Sequence, residues 1–383
     1  MKTTTAIATL MAPGLTVLAL TTPALAEIRI GASLSATGPA AFLGDPQVKT
    51  LEMLVEDLNA RGGINGEEVT LIHYDDGGDP NKARTFATRL IEDDEVVAII
   101  GGTTTGATMS ILSVAEDAEI PFISLAGAIE IIDPVRPFTF KTPHTDRMAC
   151  QKIFEDIQAR GFTKVAMISG TDGFGASMQA QCKEVIGDYG LTLVADESYN
   201  PTDADMTAQL TKIRNIEGVE ALVNPGFGQG PSIVTRNYAQ LGLEIPFYQS
   251  HGVASNGFID LAGADAAEGV RLPGTALLVA DILPEGDAQR AVAVAYKTAF
   301  EEATGTPVST FGGYAHDAFL ILTDAIARAG SAEPQAIRDA IEATTGLVGT
   351  TGTYSFTPED HLGLDLSAFR MLEIRDGAWT TVE

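Results

Sequence analysis

The five histidines stand at positions 73, 144, 251, 316 and 361. No two share the His-x-x-x-His spacing that turns a pair of ring nitrogens toward one metal on a helical face. His316 and Asp317 are neighbours on a predicted helix, which fits a surface or core pair better than a catalytic dyad. No Gly-x-Ser-x-Gly elbow presents a nucleophilic serine. Gly101-Gly102-Thr103-Thr104-Thr105-Gly106 lacks the lysine of a phosphate loop, and Gly226-Phe227-Gly228-Gln229-Gly230 lacks dinucleotide spacing. Asp75-Asp76-Gly77-Gly78-Asp79 has calcium-like chemistry without the twelve-residue loop and its terminal Glu. An acidic turn ahead of a helix opening at Pro80 accounts for it. The chain is therefore expected to be no enzyme and to need no metal or cofactor. Cys150 and Cys182 each fall on a predicted helix. An exported chain could bridge them, but spacing does not fix their Cα distance, and two buried thiols fit as well.

Binding is the chemistry that remains. Segments 35–44, 101–107, 124–128, 169–176, 224–230 and 250–255 are rich in Gly, Ser and Thr and carry Phe42, Phe174, Phe227 and His251. The elements around them alternate. Strands are predicted at 28–34, 69–74, 96–101 and 121–124, with helices at 44–61, 80–91 and 106–118 between them. The alternation restarts with helices at 146–160, 174–189, 204–216 and 230–241 and strands at 165–169, 191–198, 219–224 and 246–250. The C-terminal part turns helical at 287–304, 310–329 and 334–343, then ends in short antiparallel strands. Such a pattern predicts an α/β fold of two doubly wound parallel-sheet lobes. Ligands in such sheets sit outside the carboxyl ends of the strands, so the six segments face a cleft between the lobes. Lobe one is expected to comprise residues 27–142 plus 275–353, and lobe two 143–274 plus 354–383, joined by several short crossings.

The chain has 383 residues, 45% of them hydrophobic, and a formal net charge of −27. That is a folded chain with little attraction for nucleic-acid phosphates or anionic lipid. Residues 1–26 read as a signal peptide: Lys2, an apolar run from Ala6 to Leu20, and the small-x-small site Ala24-Leu25-Ala26. The run is short of the roughly 20 residues that span a bilayer. Cleavage after Ala26 leaves an exported, periplasmic chain one charge more acidic.

Four stretches resemble one family. They are the loop Gly38-Pro39-Ala40-Ala41-Phe42-Leu43-Gly44, the turn Asn59-Ala60-Arg61-Gly62-Gly63-Ile64-Asn65-Gly66 with Tyr74-Asp75-Asp76-Gly77-Gly78-Asp79-Pro80, the segment Ile100-Gly101-Gly102-Thr103-Thr104-Thr105, and Asp172-Gly173-Phe174-Gly175. In this order the chain resembles type I periplasmic solute-binding proteins of the leucine/isoleucine/valine-binding branch, which serve ABC transporters. The resemblance implies that Thr105, with Thr104 beside it, holds a ligand carboxylate. It implies a backbone contact at Ala126, and Ala128 where a ligand-binding Thr is usual. It places Phe174 at a position often held by Tyr, and a further aromatic near Phe227. Phe311 and Tyr314 would complete a flat apolar surface.

One departure matters most. Amino-acid binders of this branch place an acid after the last strand of lobe two to hold the α-ammonium; here the stretch reads Ser250-His251-Gly252-Val253. A buried ammonium without a carboxylate partner is strongly disfavoured. The expected ligand is therefore a small carboxylate with an aromatic body, as the Ser-His-Gly-Val-Ala stretch of aromatic-acid-binding members also implies. The expected partners are a cognate permease and ATPase, and a monomer is expected.

Overall fold

The computed structural model describes residues 1–3 and 27–382. The signal-peptide reading of residues 1–26 thus falls almost wholly outside the described residues. Among the described residues, no helix is long and apolar enough to cross a membrane.

The first sheet contains β1 (Ile28–Leu34), β2 (Val69–Asp75), β3 (Ala98–Gly101), β4 (Phe122–Ser124) and β5 (Thr139–Lys141). Its order is β2-β1-β3-β4-β5, all parallel. The second sheet contains β6 (Lys164–Gly170), β7 (Thr192–Tyr199), β8 (Ala221–Asn224), β9 (Phe247–Gln249) and β10 (Arg271–Gly274). The short pair β11 (Leu347–Val348) and β12 (Thr353–Tyr354) stands apart, and β13 (Arg370–Arg375) and β14 (Ala378–Thr381) extend the second sheet antiparallel at β10. Its parallel part runs β7-β6-β8-β9-β10, the same winding as the first sheet. Each sheet has one switch point where strand order reverses: β1/β3 in the first, β6/β8 in the second. β3, β4 and β8 are apolar runs buried on both faces, as parallel strands covered by helices must be.

The helices are α1 (Ala41–Ala60), α2 (Pro80–Glu92), α3 (Thr105–Asp117), α4 (Asp146–Ala159), α5 (Gly173–Val185), α6 (Thr207–Arg214), α7 (Gln229–Gln240), α8 (Asn256–Ala262), α9 (Ala264–Ala267), α10 (Arg290–Thr304), α11 (Thr310–Ala329) and α12 (Pro334–Glu342). Their starts are fixed locally. Asp79, Thr104, Thr145, Asp172 and Ser309 each accept a first-turn N–H, which satisfies donors a helix cannot pair internally. Helix α11 packs on α1 and α12, beside the first sheet.

Between the sheets the chain crosses three times, at 142–145, near 275 and over 355–369. The crossings are braced together. Thr142 Oγ1 donates to Tyr314 O at 2.9 Å, and Tyr354 OH donates to Thr142 O at 3.0 Å. Cys150 on α4 and Cys182 on α5 form a disulfide, with Cα atoms 5.1 Å apart. Closing a loop of that length removes denatured-state entropy worth about 3–4 kcal/mol in the chain-entropy picture.

β5 and β10 are strands that the sequence pattern did not predict. Each is short, and neither has the apolar run that marks the others: β5 ends in Lys141, and β10 contains Pro273.

Candidate functional site

The loops after β3, β4, β6, β8 and β9 converge between the sheets. They line a tight, partly open cavity of about 40 Å³ formed by Thr103, Thr104, Thr105, Leu125, Ala126, Gly127, Phe174, Phe227, His251 and Gly252, with Leu43, Pro143, Phe311 and Tyr314 from α1, the first crossing and α11. It opens beside a wider cleft space of about 350 Å³, a size that suits a small molecule, which shares Thr104, Thr105, Phe174 and Phe227 and is also lined by Asp79 and Asp172.

Two hydroxyls that look alike in sequence are used differently. Thr104 Oγ1 accepts from Ala107 N at 3.2 Å and so caps α3. Thr105 Oγ1 is buried, in a residue 4% exposed, with no partner. Thr103 Oγ1 donates to Gln47 Oε1 at 2.7 Å and accepts from Ser35 N at 3.0 Å, which fixes the loop. Thr105 therefore stands free at the N-terminus of a 13-residue helix, where first-turn N–H groups and the helix dipole favour an anion.

Two more cavity-lining atoms are buried without partners, Tyr314 OH and His251 Nδ1. Their residues are 2% and 3% exposed. Burial, with Lys141 adding repulsion, pushes the His251 imidazole down to about 3. At neutral pH the ring is uncharged and offers one donor and one acceptor; it is not a counter-ion for a carboxylate. No Asp, Glu, Lys or Arg lines the cavity.

The aromatic residues form one continuous arc. Tyr314 meets Phe311 at 6.3 Å, Phe311 meets Phe42 at 5.7 Å, and Phe42 stacks toward Phe227 at 6.4 Å. Phe227 meets Phe174 at 6.3 Å, and Phe174 meets His251 edge-on at 5.3 Å. The arc continues through Phe369, 5.4 Å from His251, to His144, which stacks on Phe369 at 3.6 Å. The lobes touch at Gly127: a side chain there would meet both His251 Nε2 and Phe174 at 2.8 Å, so only glycine fits.

Two expected site residues are placed differently. Ala128 is fully buried in the core beside Ile131, away from the cavity, because its carbonyl is drawn back to Lys141 Nζ at 3.2 Å. Phe42 does not line the cavity; it sits one ring outward, bridging Phe311 and Phe227. The other eight, Thr104, Thr105, Ala126, Phe174, Phe227, His251, Phe311 and Tyr314, line it together. Leu43, Thr103, Leu125, Gly127, Pro143 and Gly252 were not singled out. Five of them lie in loops already read as cleft loops. Pro143 lies in the first crossing, which carries no recognisable binding chemistry.

Behind the cavity wall Lys141 is completely buried, and burial pushes its ammonium down to about 7 against the attraction of Asp146. Burial raises the Asp146 carboxyl, against the Ser177 hydroxyl and Lys141, which hold it down. Among the described residues, no group of three or more His, Cys, Asp or Glu is placed to hold a metal ion.

The chain matches the family model described as periplasmic binding protein over residues 27–378. It is 27% identical to the leucine-, isoleucine-, valine-, threonine-, and alanine-binding protein of Pseudomonas aeruginosa, over 88% of this chain and 86% of that one. An extracellular ligand-binding receptor from Rhodopseudomonas palustris HaA2 superposes with a TM-score of 0.86 at 30% identity, over 93% of this chain and 100% of that one. The branched-chain amino acid transporter substrate binding protein of Streptococcus pneumoniae, in complex with isoleucine, superposes with a TM-score of 0.82 over 93% of this chain and 99% of that one; at 23% identity it shows the shared fold. Two like-wound sheets with a cavity between their carboxyl ends, and a family match over nearly the whole described chain, lead to one conclusion: the chain belongs to the periplasmic binding protein family, a family of binding proteins and not of enzymes.

Proposed function

We propose that the protein is the exported solute-binding subunit of an ABC importer and that it captures a small carboxylate with a flat apolar body. The observation that carries this reading is the cavity's polar inventory. Three buried unpartnered atoms, Thr105 Oγ1, Tyr314 OH and His251 Nδ1, belong to residues that line a space without a charged side chain. Buried polar groups without partners are costly, so a ligand that satisfies them gains what the empty protein lacks. The carboxylate would meet Thr105 and the first turn of α3. Phe174, Phe227, Phe311 and Tyr314 would enclose the body, and neutral His251 would meet a hydroxyl or carbonyl at its far end. An α-ammonium would find no carboxylate in this cavity.

In this reading residues 27–142 plus 275–353 act as one lobe and 143–274 plus 354–383 as the other. The lobe carrying Thr105 binds first, and the lobe carrying Phe174 closes over the ligand by hinge motion. The closing equilibrium scales the apparent affinity. A cognate permease and ATPase then take up the ligand from the monomeric, periplasmic protein.

A second reading, an amino-acid binder, is favoured by the curated relative named for leucine, isoleucine, valine, threonine and alanine. Calorimetry or thermal shift with leucine, glutamate, benzoate, 4-hydroxybenzoate and coumarate separates the two. A response confined to the aromatic acids supports the first reading, and tight binding of leucine without it supports the second.

A further inference from the structure

The cavity accounts for Thr105, Tyr314 and His251, but not for two ionisable side chains buried just behind it. Lys141, at the end of β5, and Asp146, the first residue of α4, flank the first crossing and are both fully buried. Burying a charge is costly unless hydrogen bonds repay it, so what each one holds is informative.

Lys141 Nζ donates to three carbonyls: Gly127 O at 2.8 Å, Ala128 O at 3.2 Å and His144 O at 3.4 Å. Two of these belong to the cavity loop after β4, and the third to the crossing itself. Asp146 N donates to Gly127 O at 3.0 Å. The Asp146 carboxylate then divides. Oδ1 accepts from Ile129 N at 3.0 Å, on the continuation of the same loop, and from Arg147 N at 2.9 Å. Oδ2 accepts from the Ser177 hydroxyl, on α5, the helix that carries Phe174 into the cavity. Helix α5 is held to α4 again by Arg147 Nε to Gln181 Oε1 at 2.6 Å and by the Cys150–Cys182 disulfide.

One carboxylate thus grips a wall of the cavity in each lobe, the Gly127 loop with one oxygen and the Phe174 helix with the other. These are the two walls that touch where Phe174 and His251 meet Gly127. We propose that Lys141, Asp146 and Ser177 form a hinge-side clasp that sets the position of the Gly127 loop against the Phe174 helix, and so act as positioning residues for ligand capture. The clasp touches no ligand. It rests on the cleft being the binding site, as proposed above, but not on which ligand fills it.

The test is hydrogen exchange read across the lobes, on the full mature chain. In Ser177→Ala, which removes only the lobe-two arm, amide exchange should rise about three- to tenfold at 127–129 in lobe one. In Lys141→Met, which removes the lysine's bonds to the Gly127 loop and the crossing and loosens the loop that Asp146 Oδ1 grips, it should rise similarly at 174–178 in lobe two. Exchange in β3 and β8 should stay unchanged in both. Ser177→Thr, which keeps the hydroxyl, should restore the native pattern. With 4-hydroxybenzoate as probe, Ser177→Ala should weaken binding about three- to tenfold with little change in melting temperature. A rise confined to the mutated residue's own lobe, or no rise, overturns the clasp. If the unmodified protein does not bind the probe, the ligand reading fails while the exchange result still decides the clasp.

Discussion

Two buried polar regions lie one helical turn apart on α11 and have opposite character. At Asp317 the carboxylate is fully paired. Its carboxylate accepts Thr350 N and Thr351 N, both at 2.8 Å, Thr350 Oγ1 at 3.1 Å and Tyr354 OH at 3.2 Å, and it meets His316 Nδ1 at 2.8 Å. Gly349 permits the approach, since a side chain there would strike the carboxylate at 2.6 Å. At Tyr314 the hydroxyl has no partner, and the same is true of Thr105 Oγ1 and His251 Nδ1, whose residues line the same cavity. A saturated network stabilises the unliganded fold, whereas an unsaturated one costs stability until something binds. The difference fits a scaffold role for Asp317 and the proposed ligand site at Tyr314.

The sharpest way to break this comparison is to damage the scaffold. Asp317→Ala strands two backbone N–H groups, Thr350 N and Thr351 N, and should destabilise the protein by about 3–5 kcal/mol in urea unfolding. A loss below about 1 kcal/mol would erase the contrast. Thr105→Ala should behave oppositely. It removes an atom that had no partner, so stability should change by no more than about 0.5 kcal/mol. Affinity for the bound carboxylate should fall about tenfold or more, the worth of a hydrogen bond to a charged group. His251→Ala should also weaken binding while the native circular dichroism persists; unchanged affinity in both variants removes the site assignment. Gly127→Ala should hold the lobes apart and weaken binding a further few-fold, read by calorimetry beside small-angle scattering.

A further effect is on acid stability. The folded His251 is pushed down to about 3, below its ordinary unfolded value near 6.5. The unfolded chain therefore takes up a proton first, and stability falls as pH drops from about 6.5 toward 3. His144, also depressed by burial, adds in the same direction. His251→Phe should flatten part of that slope in urea midpoints measured between pH 7 and 4; an unchanged slope would mean the ring is not held neutral.

Much of this was legible from residue order. Strands such as β1, β3 and β8 announce themselves as apolar runs. The loop rule then places Thr105, Phe174, Phe227 and His251 in one cleft before any coordinates are known. Pattern does not show where a charge is spent. No pattern in the sequence marks Lys141, which is buried and spends its protons on carbonyls. The same bonds turn Ala128 into the core, so the expected contact there is absent. The family resemblance favours Thr105 over Thr104, but residue type alone does not distinguish them. Only the cap to Ala107 shows which hydroxyl is occupied. The disulfide was undecidable for a similar reason, because it depends on how α4 and α5 lie against each other.

The central claim is that the inner cavity, between Thr105, Tyr314 and His251, is uncharged and offers an anion site at its Thr105 end. Calorimetric titration of the ligand-stripped protein with 4-hydroxybenzoate and, separately, with leucine tests it most directly. The account predicts saturable one-to-one binding of 4-hydroxybenzoate, weakened by Thr105→Ala, and no heat from leucine. Tight binding of leucine with no response to the aromatic acid would contradict it.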